Sequence, residues 1–189
     1  MESLKLNRKP SVWFQLDRSR SKQCIRYYYS MVLAMIEKIV VEINVPVEKV
    51  FLFMVGYDKH YTEVHKDHIE RIVNIKDPNL EHPDVDFYFR QISPITGKEQ
   101  KIRGKVTRVE INKYIGTRFL FPTSLFLTKV ENIFEQKGEG CLLTTNLHFT
   151  FLSYFFKKSR QKVVAHITGE LIETKRILEN QADEAKGLE

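Results

Sequence analysis

The sequence is poor in the residues that staple small folds or cradle common cofactors. Its two cysteines, Cys24 and Cys141, lie 117 positions apart. That is no disulfide framework and no CxxC zinc knuckle, and it fits a reducing compartment, so a cytoplasmic location is expected. No Gly-rich phosphate loop, GxSxG elbow or HExxH run is present, which removes the commonest signatures of nucleotide, serine-hydrolase and zincin chemistry. Long apolar runs are missing too. The longest, Tyr27 to Ile36, holds ten residues and is interrupted by Ser30, whereas a bilayer span needs about 20. Basic residues precede it as in a signal peptide, but no small-residue cleavage site follows before Glu37 and Lys38.

Charge of one sign is also scarce over most of the chain. The formal net charge is +6, yet residues 1–35 carry seven basic side chains (Lys5, Arg8, Lys9, Arg18, Arg20, Lys22, Arg26) against Glu2 and Asp17. The other 154 residues hold 23 basic and 22 acidic side chains, or +1. A domain-wide basic patch for nucleic acid is therefore excluded, and neither nucleic acid nor a membrane is expected as a partner.

What is present is material for a core. The chain is 42% hydrophobic with thirteen Phe in 189 residues, the size of one domain. Periodicity starts at Met35, where an alternating strand runs to Asn44–Pro46. Residues 1–34 lack such a pattern and are expected to lie outside the fold, so their removal should leave the melting temperature almost unchanged. Helical spacing follows Pro46 over Val47–Met54, closed by Gly56, and a second short helix is expected over Lys59–Glu70. Strand patterns then cover Arg71–Lys76, Asp86–Ile92, Gln100–Ile115, Arg118–Phe121, Leu125–Gln136 and Cys141–Leu152, with Gly/Pro/Asn turns between them. A long helix from an N-capping Ser159 to Gln181 closes the chain, its apolar stripe being Val163, Ile167, Leu171, Thr174 and Leu178; Ala182–Glu189 is read as a frayed tail. The order predicts an α+β fold over residues 35–181, a bent antiparallel sheet gripping one long helix.

Three of the six histidines, His60, His65 and His68, fall within nine residues, either as a site or as a solvated polar stretch. His166 and Glu170 stand four apart, so both project from one helical face at the edge of the apolar stripe. A divalent metal would satisfy both; a His–Glu pair at the rim of the core is the plainer alternative. Glu110, with Glu99 as a rival, offers a strand carboxylate, and His148 shares a strand face with Thr144 and Asn146. Both faces read first as solvent-facing, unless they line a polar cavity.

With these residues in view, the chain from 35 to about 180 resembles the START-like (helix-grip, polyketide cyclase-like) superfamily. The opening strand ending in Asn44-Val45-Pro46, then Val47-Glu48-Lys49-Val50-Phe51, and the single closing helix carry that resemblance. Within it, the stretch Tyr61-Thr62-Glu63-Val64-His65-Lys66-Asp67-His68 and the His166/Glu170 pair are similar to motifs of the zinc-dependent hydrolases of 2,4-diacetylphloroglucinol and phloretin. Glu110 after Gly104 is the best match to that family's strand glutamate. The resemblance implies zinc held by His68, Glu110, His166 and Glu170, with Tyr61, His65 and His148 beside the substrate. The implied activity is hydrolysis of a carbon–carbon bond next to a carbonyl in a small acylated phenol or β-diketone. The alternative is a non-enzymatic carrier for a hydrophobic small molecule.

Overall fold

Alternation along β1 (Met35–Ile43) turns Ile39 and Ile43 into the core and leaves Lys38, Val40 and Glu42 exposed. In the computed structural model, residues 35–55, 64, 68–74 and 85–186 are described, with only the backbone course for 68–74, 85, 185 and 186. All of them belong to one unit of the chain. After β1 the Pro46 carbonyl accepts N–H bonds from Lys49 and Val50 at 3.0 and 3.2 Å. That starts helix α1 (Val47–Val55), which buries Val47, Val50, Phe51, Phe53 and Met54.

Six strands follow: β2 (His68–Asn74), β3 (Val85–Ile92), β4 (Glu99–Glu110), β5 (Tyr114–Phe119), β6 (Leu127–Lys137) and β7 (Gly140–Phe149). They form one antiparallel sheet in the order β1-β7-β6-β5-β4-β3-β2. The first strand thus closes against the last, Ile39 opposite Thr145. A short helix, α2 (Leu152–Phe155), leads into the 30-residue α3 (Lys157–Lys186).

This is the helix-grip architecture. The inner face of the sheet is set by β7, where Cys141, Leu143, Thr145, Leu147 and Phe149 alternate inward and are all buried. They join Leu171, Ile177 and Leu178 of α3 and Val50 and Phe51 of α1 in one core, with Phe51 edge-on to Phe134 at 5.5 Å. Among the strands, α3 runs closest to β1. Lys175 Nζ donates to the Glu42 carbonyl at 2.6 Å, and the Asn44 N–H donates to Glu179 at 2.9 Å.

Several boundaries differ from the sequence reading. His68–Glu70 is strand rather than the end of a helix, and the rest of that expected helix, Val64 apart, lies outside the described residues, as does Gly56. Gln100–Ile115 is not one strand, because the chain turns at 111–113 with Asn112 at φ 59°. Arg118 belongs to β5. Helix α3 starts at Lys157, so Ser159 lies inside it; the break falls at Phe156, whose backbone (φ −114°, ψ 50°) is non-helical.

Candidate functional site

The strand register decides which side chains can meet. Cross-strand partners share a face, so Thr145 on the inner face of β7 places Asn132 of β6 and Ile115 of β5 beside it. The same rows bring Val130, Thr117, Phe119, Val106, Gly104 and Phe87 to the inner face. In β7 this face is buried throughout, and on β1 Ile39 and Ile43 are buried while Met35, Glu37 and Val41 are half-buried. In β3–β5 and the start of β6 it is covered only in part: Gln91, Ile102, Ile115 and Leu127 are buried, but Phe87, Phe89, Val106, Val109, Thr117, Phe119, Val130 and Asn132 are half-buried. Side chains in mid-sheet, on the side that the helix grips, are still reached by solvent.

Local chemistry equips this face for an aromatic guest. Phe87 and Phe89 stack at 6.0 Å, and Phe87 meets Phe119 edge-on at 6.4 Å. The Phe87 ring crosses the intervening strand only because position 104 is glycine; a Cβ there would sit 2.4 Å from Phe87 Cζ. Two rows along the same face, beside Ile115, lies a polar pair. The Thr145 hydroxyl donates to Asn132 Oδ1 at 2.7 Å, which leaves the Asn132 amide nitrogen, without a partner among the described residues, to donate elsewhere.

Helix α3 supplies the facing wall. Lys162 Nζ donates to the Ile95 carbonyl in the β3–β4 turn at 3.3 Å. His166 and Glu170 follow at one and two helical turns on the same flank, so they face the β3–β4 side rather than β1. Their side chains lie 3.1 Å apart, each 18% exposed. Nearer β1, Arg160 is buried on the inward stripe, its Nε 3.0 Å from Glu37 and its Nη1 3.2 Å from the Met35 sulfur.

Of the described residues expected to act together, the structure unites His166 with Glu170 and places Glu110 and His148 on the other face of the sheet. Glu110 is on the opposite face of the sheet. A β-bulge between Val106 and Arg108 reverses the alternation of β4, so Val106 points in while Arg108 and Glu110 point out. There Glu110 is ion-paired with Arg108. The rival, Glu99, pairs with Arg90 near the β3–β4 turn at 2.5 Å. His148 also points out, because Leu147 and Phe149 on either side of it point in. His68 starts β2, at the edge of the sheet farthest from β1, and only its backbone is described; Tyr61 and His65 lie outside the described residues.

Zinc commonly takes three or four protein donors. Among the described residues no three His, Cys, Asp or Glu side chains converge, so the described part of the proposed ligand set does not fit the ion.

On the outer face His148 belongs to a cluster the sequence did not reveal. Glu131 accepts hydrogen bonds from Tyr114 at 2.6 Å, Lys129 at 2.5 Å and His148 Nε2 at 2.5 Å. Burial raises the Glu131 pKa, but the bonds from Lys129, Tyr114 and His148 outweigh it and hold the carboxyl at about 2. Burial, with the bond to Glu131, raises the Tyr114 pKa. Lys129 is raised as well, burial being outweighed by its bond to Glu131.

Sequence reasoning passed over Asn132, Thr145, Arg160 and Glu37. A signal existed: Asn132 and Thr145 are polar residues at apolar beats, Asn132 between Val130 and Phe134, and Thr145 between Leu143 and Leu147.

No protein-family model matches the chain, and no curated protein matches its sequence. Solved structures do. The di-domain ARO/CYC StfQ from the steffimycin biosynthetic pathway superposes with a TM-score of 0.68 at 14% identity, over 88% of this chain and 62% of its own. The chain therefore spans about three fifths of that protein's length. TTHA0849 from Thermus thermophilus gives 0.62 at 12% identity, over 76% of this chain and 97% of its own. The Polyketide_cyc-like protein Cgl2372 from Corynebacterium glutamicum gives 0.53 at 18%, over 82% and 97%. At these identities the likeness establishes the polyketide cyclase-like fold.

Proposed function

We propose that this protein binds a hydrophobic, ring-containing small molecule between α3 and the inner face of β3–β6. The observation that carries the reading is the half-accessible inner face, where Phe87, Phe89, Phe119, Val106 and Val130 offer apolar contact that the helix does not seal off. A ligand pocket combines apolar walls with a few placed polar groups. Here the Asn132 amide and the His166–Glu170 pair would orient a carbonyl or hydroxyl on the guest. The fold shared with polyketide cyclase-like structures agrees with a guest of this class.

A zinc-dependent hydrolase is the second reading, favoured by the His166–Glu170 pair alone. It needs further donors, such as His68, from outside the described side chains. One preparation distinguishes the two. Native mass spectrometry of the purified protein should show a co-purifying small molecule, or uptake of an added polyhydroxylated aromatic, reduced at least tenfold in affinity by Phe119→Ser. Elemental analysis should find less than a tenth of an equivalent of zinc. Stoichiometric zinc lost in His166→Ala would instead establish the second reading, and neither ligand nor zinc would remove both.

A further inference from the structure

One end of the sheet carries an unusual surface. The β5–β6 connection exposes Leu120, Phe121 and Leu125, and the turn from β7 through α2 exposes Phe151, Leu152, Tyr154, Phe155 and Phe156. The most open are Phe121 at 72%, Phe155 at 65% and Tyr154 at 62%. The two segments are adjoining, because the Thr150 N–H donates to the Phe126 carbonyl at 3.0 Å and its hydroxyl to the Leu125 carbonyl at 2.6 Å. Phe151, Tyr154 and Phe155 pack on one another with centroids 5.2 to 6.3 Å apart. Eight large apolar side chains drawn together and left in water mark an interaction surface.

Charge indicates what covers it. The stretches that build this end, 120–130 and 147–160, contain no Asp or Glu, although 24 in the whole chain would place about three in those 25 residues. They do contain Lys129, Lys157, Lys158 and Arg160, the last buried and paired with Glu37. Lys157 and Lys158 are exposed directly after Phe156. On the other side, Lys105, Arg118 and Lys129 stand opposite one another across β4, β5 and β6. Like charges facing each other across strands are unfavourable. Lys105 pairs with Asp86 and Lys129 with Glu131, while Arg118 between them has no anion among the described residues.

From this surface we infer that the end of the sheet formed by residues 120–126 and 151–158 docks on an anionic lipid surface. Aromatic rings settle at the headgroup level, and flanking cations add attraction to acidic lipids. A second copy of the chain fits less well, since it would bring lysine against lysine. No described helix is long and apolar enough to cross a membrane, and a peripheral contact needs none. Such a contact departs from the expectation, drawn from charge, of no membrane partner. The inference stands apart from the ligand reading.

Vesicle flotation of the full chain tests it, with phosphatidylcholine alone and with phosphatidylserine added. Binding is expected only with phosphatidylserine and should weaken with salt. Phe121→Ser with Phe155→Ser should reduce it more than tenfold, and Lys157→Glu or Lys158→Glu about fivefold or more each. These side chains are exposed, so circular dichroism should show the variants folded. No binding to acidic vesicles would overturn the inference. So would binding that survives the Phe substitutions, which would then belong to another segment such as residues 1–34. Patch-dependent self-association without vesicle binding would assign the surface to a second copy instead.

Discussion

The two halves of the inner face are built from the same strand alternation and end differently. On β1 and β7, α1 and α3 close over Ile43, Leu143 and Leu147, which retain no exposure at all. On β3–β5, the same alternation buries Ile102 and Ile115 but leaves Phe87, Val106 and Phe119 only half-buried. Composition does not explain the difference, because both halves present apolar residues inward. What differs is the distance to the helix, which leans toward β1 through Lys175, Glu179 and Arg160. One half of the face serves stability, and the other stays partly open where the proposed ligand would bind.

That contrast can be broken by mutation. Leu147→Ala removes a fully buried side chain and should cost about 2–5 kcal/mol, read from urea unfolding. Phe119→Ala removes a larger side chain from the open half and should cost no more than about half as much, because part of its surface already faces water. If the two cost the same, the open half is ordinary core and the ligand reading loses its basis. If Phe119→Ala is mild in the free protein but removes the extra stability gained on adding ligand, the comparison sharpens.

Much of this contrast was legible in the sequence, up to the point where local patterns stop counting. Strand alternation, the helix after Pro46 and the stripe of α3 were readable because each is a short-range period. The His166–Glu170 pair was readable for the same reason, as four residues along a helix always share a face. Glu110 was not. A single extra residue at Thr107 reverses the alternation of β4, and nothing in Val106-Thr107-Arg108 announces it. A second bulge, between Leu127 and Lys129, similarly lets Leu127 enter the core while Lys129 faces out. The Glu131 cluster was invisible because its members come from three strands, brought together only by register.

The smallest expected effect concerns that cluster and separates the outer face from the inner one. Glu131 is the shared acceptor for Lys129, Tyr114 and His148, with the Arg108 guanidinium over the Tyr114 ring and Glu110 beside Arg108. Its pKa in the fold is about 2, against 4.5 ordinarily. A carboxyl depressed on folding stabilises fully above its unfolded value and loses that contribution as pH falls through its folded one. The loss should therefore run from about pH 4.5 down to 2. Glu131→Gln should cost about 1–2 kcal/mol at neutral pH, the scale of hydrogen bonds to a charged group, and should flatten the acid limb of the stability profile over that window. Ligand binding at neutral pH should not change, since these side chains stand on the opposite face from Asn132 and Phe119. An acid limb identical in the wild type and Glu131→Gln would place the acid-sensitive group elsewhere. A loss of ligand affinity in the same variant would show that the two faces of the sheet are not independent.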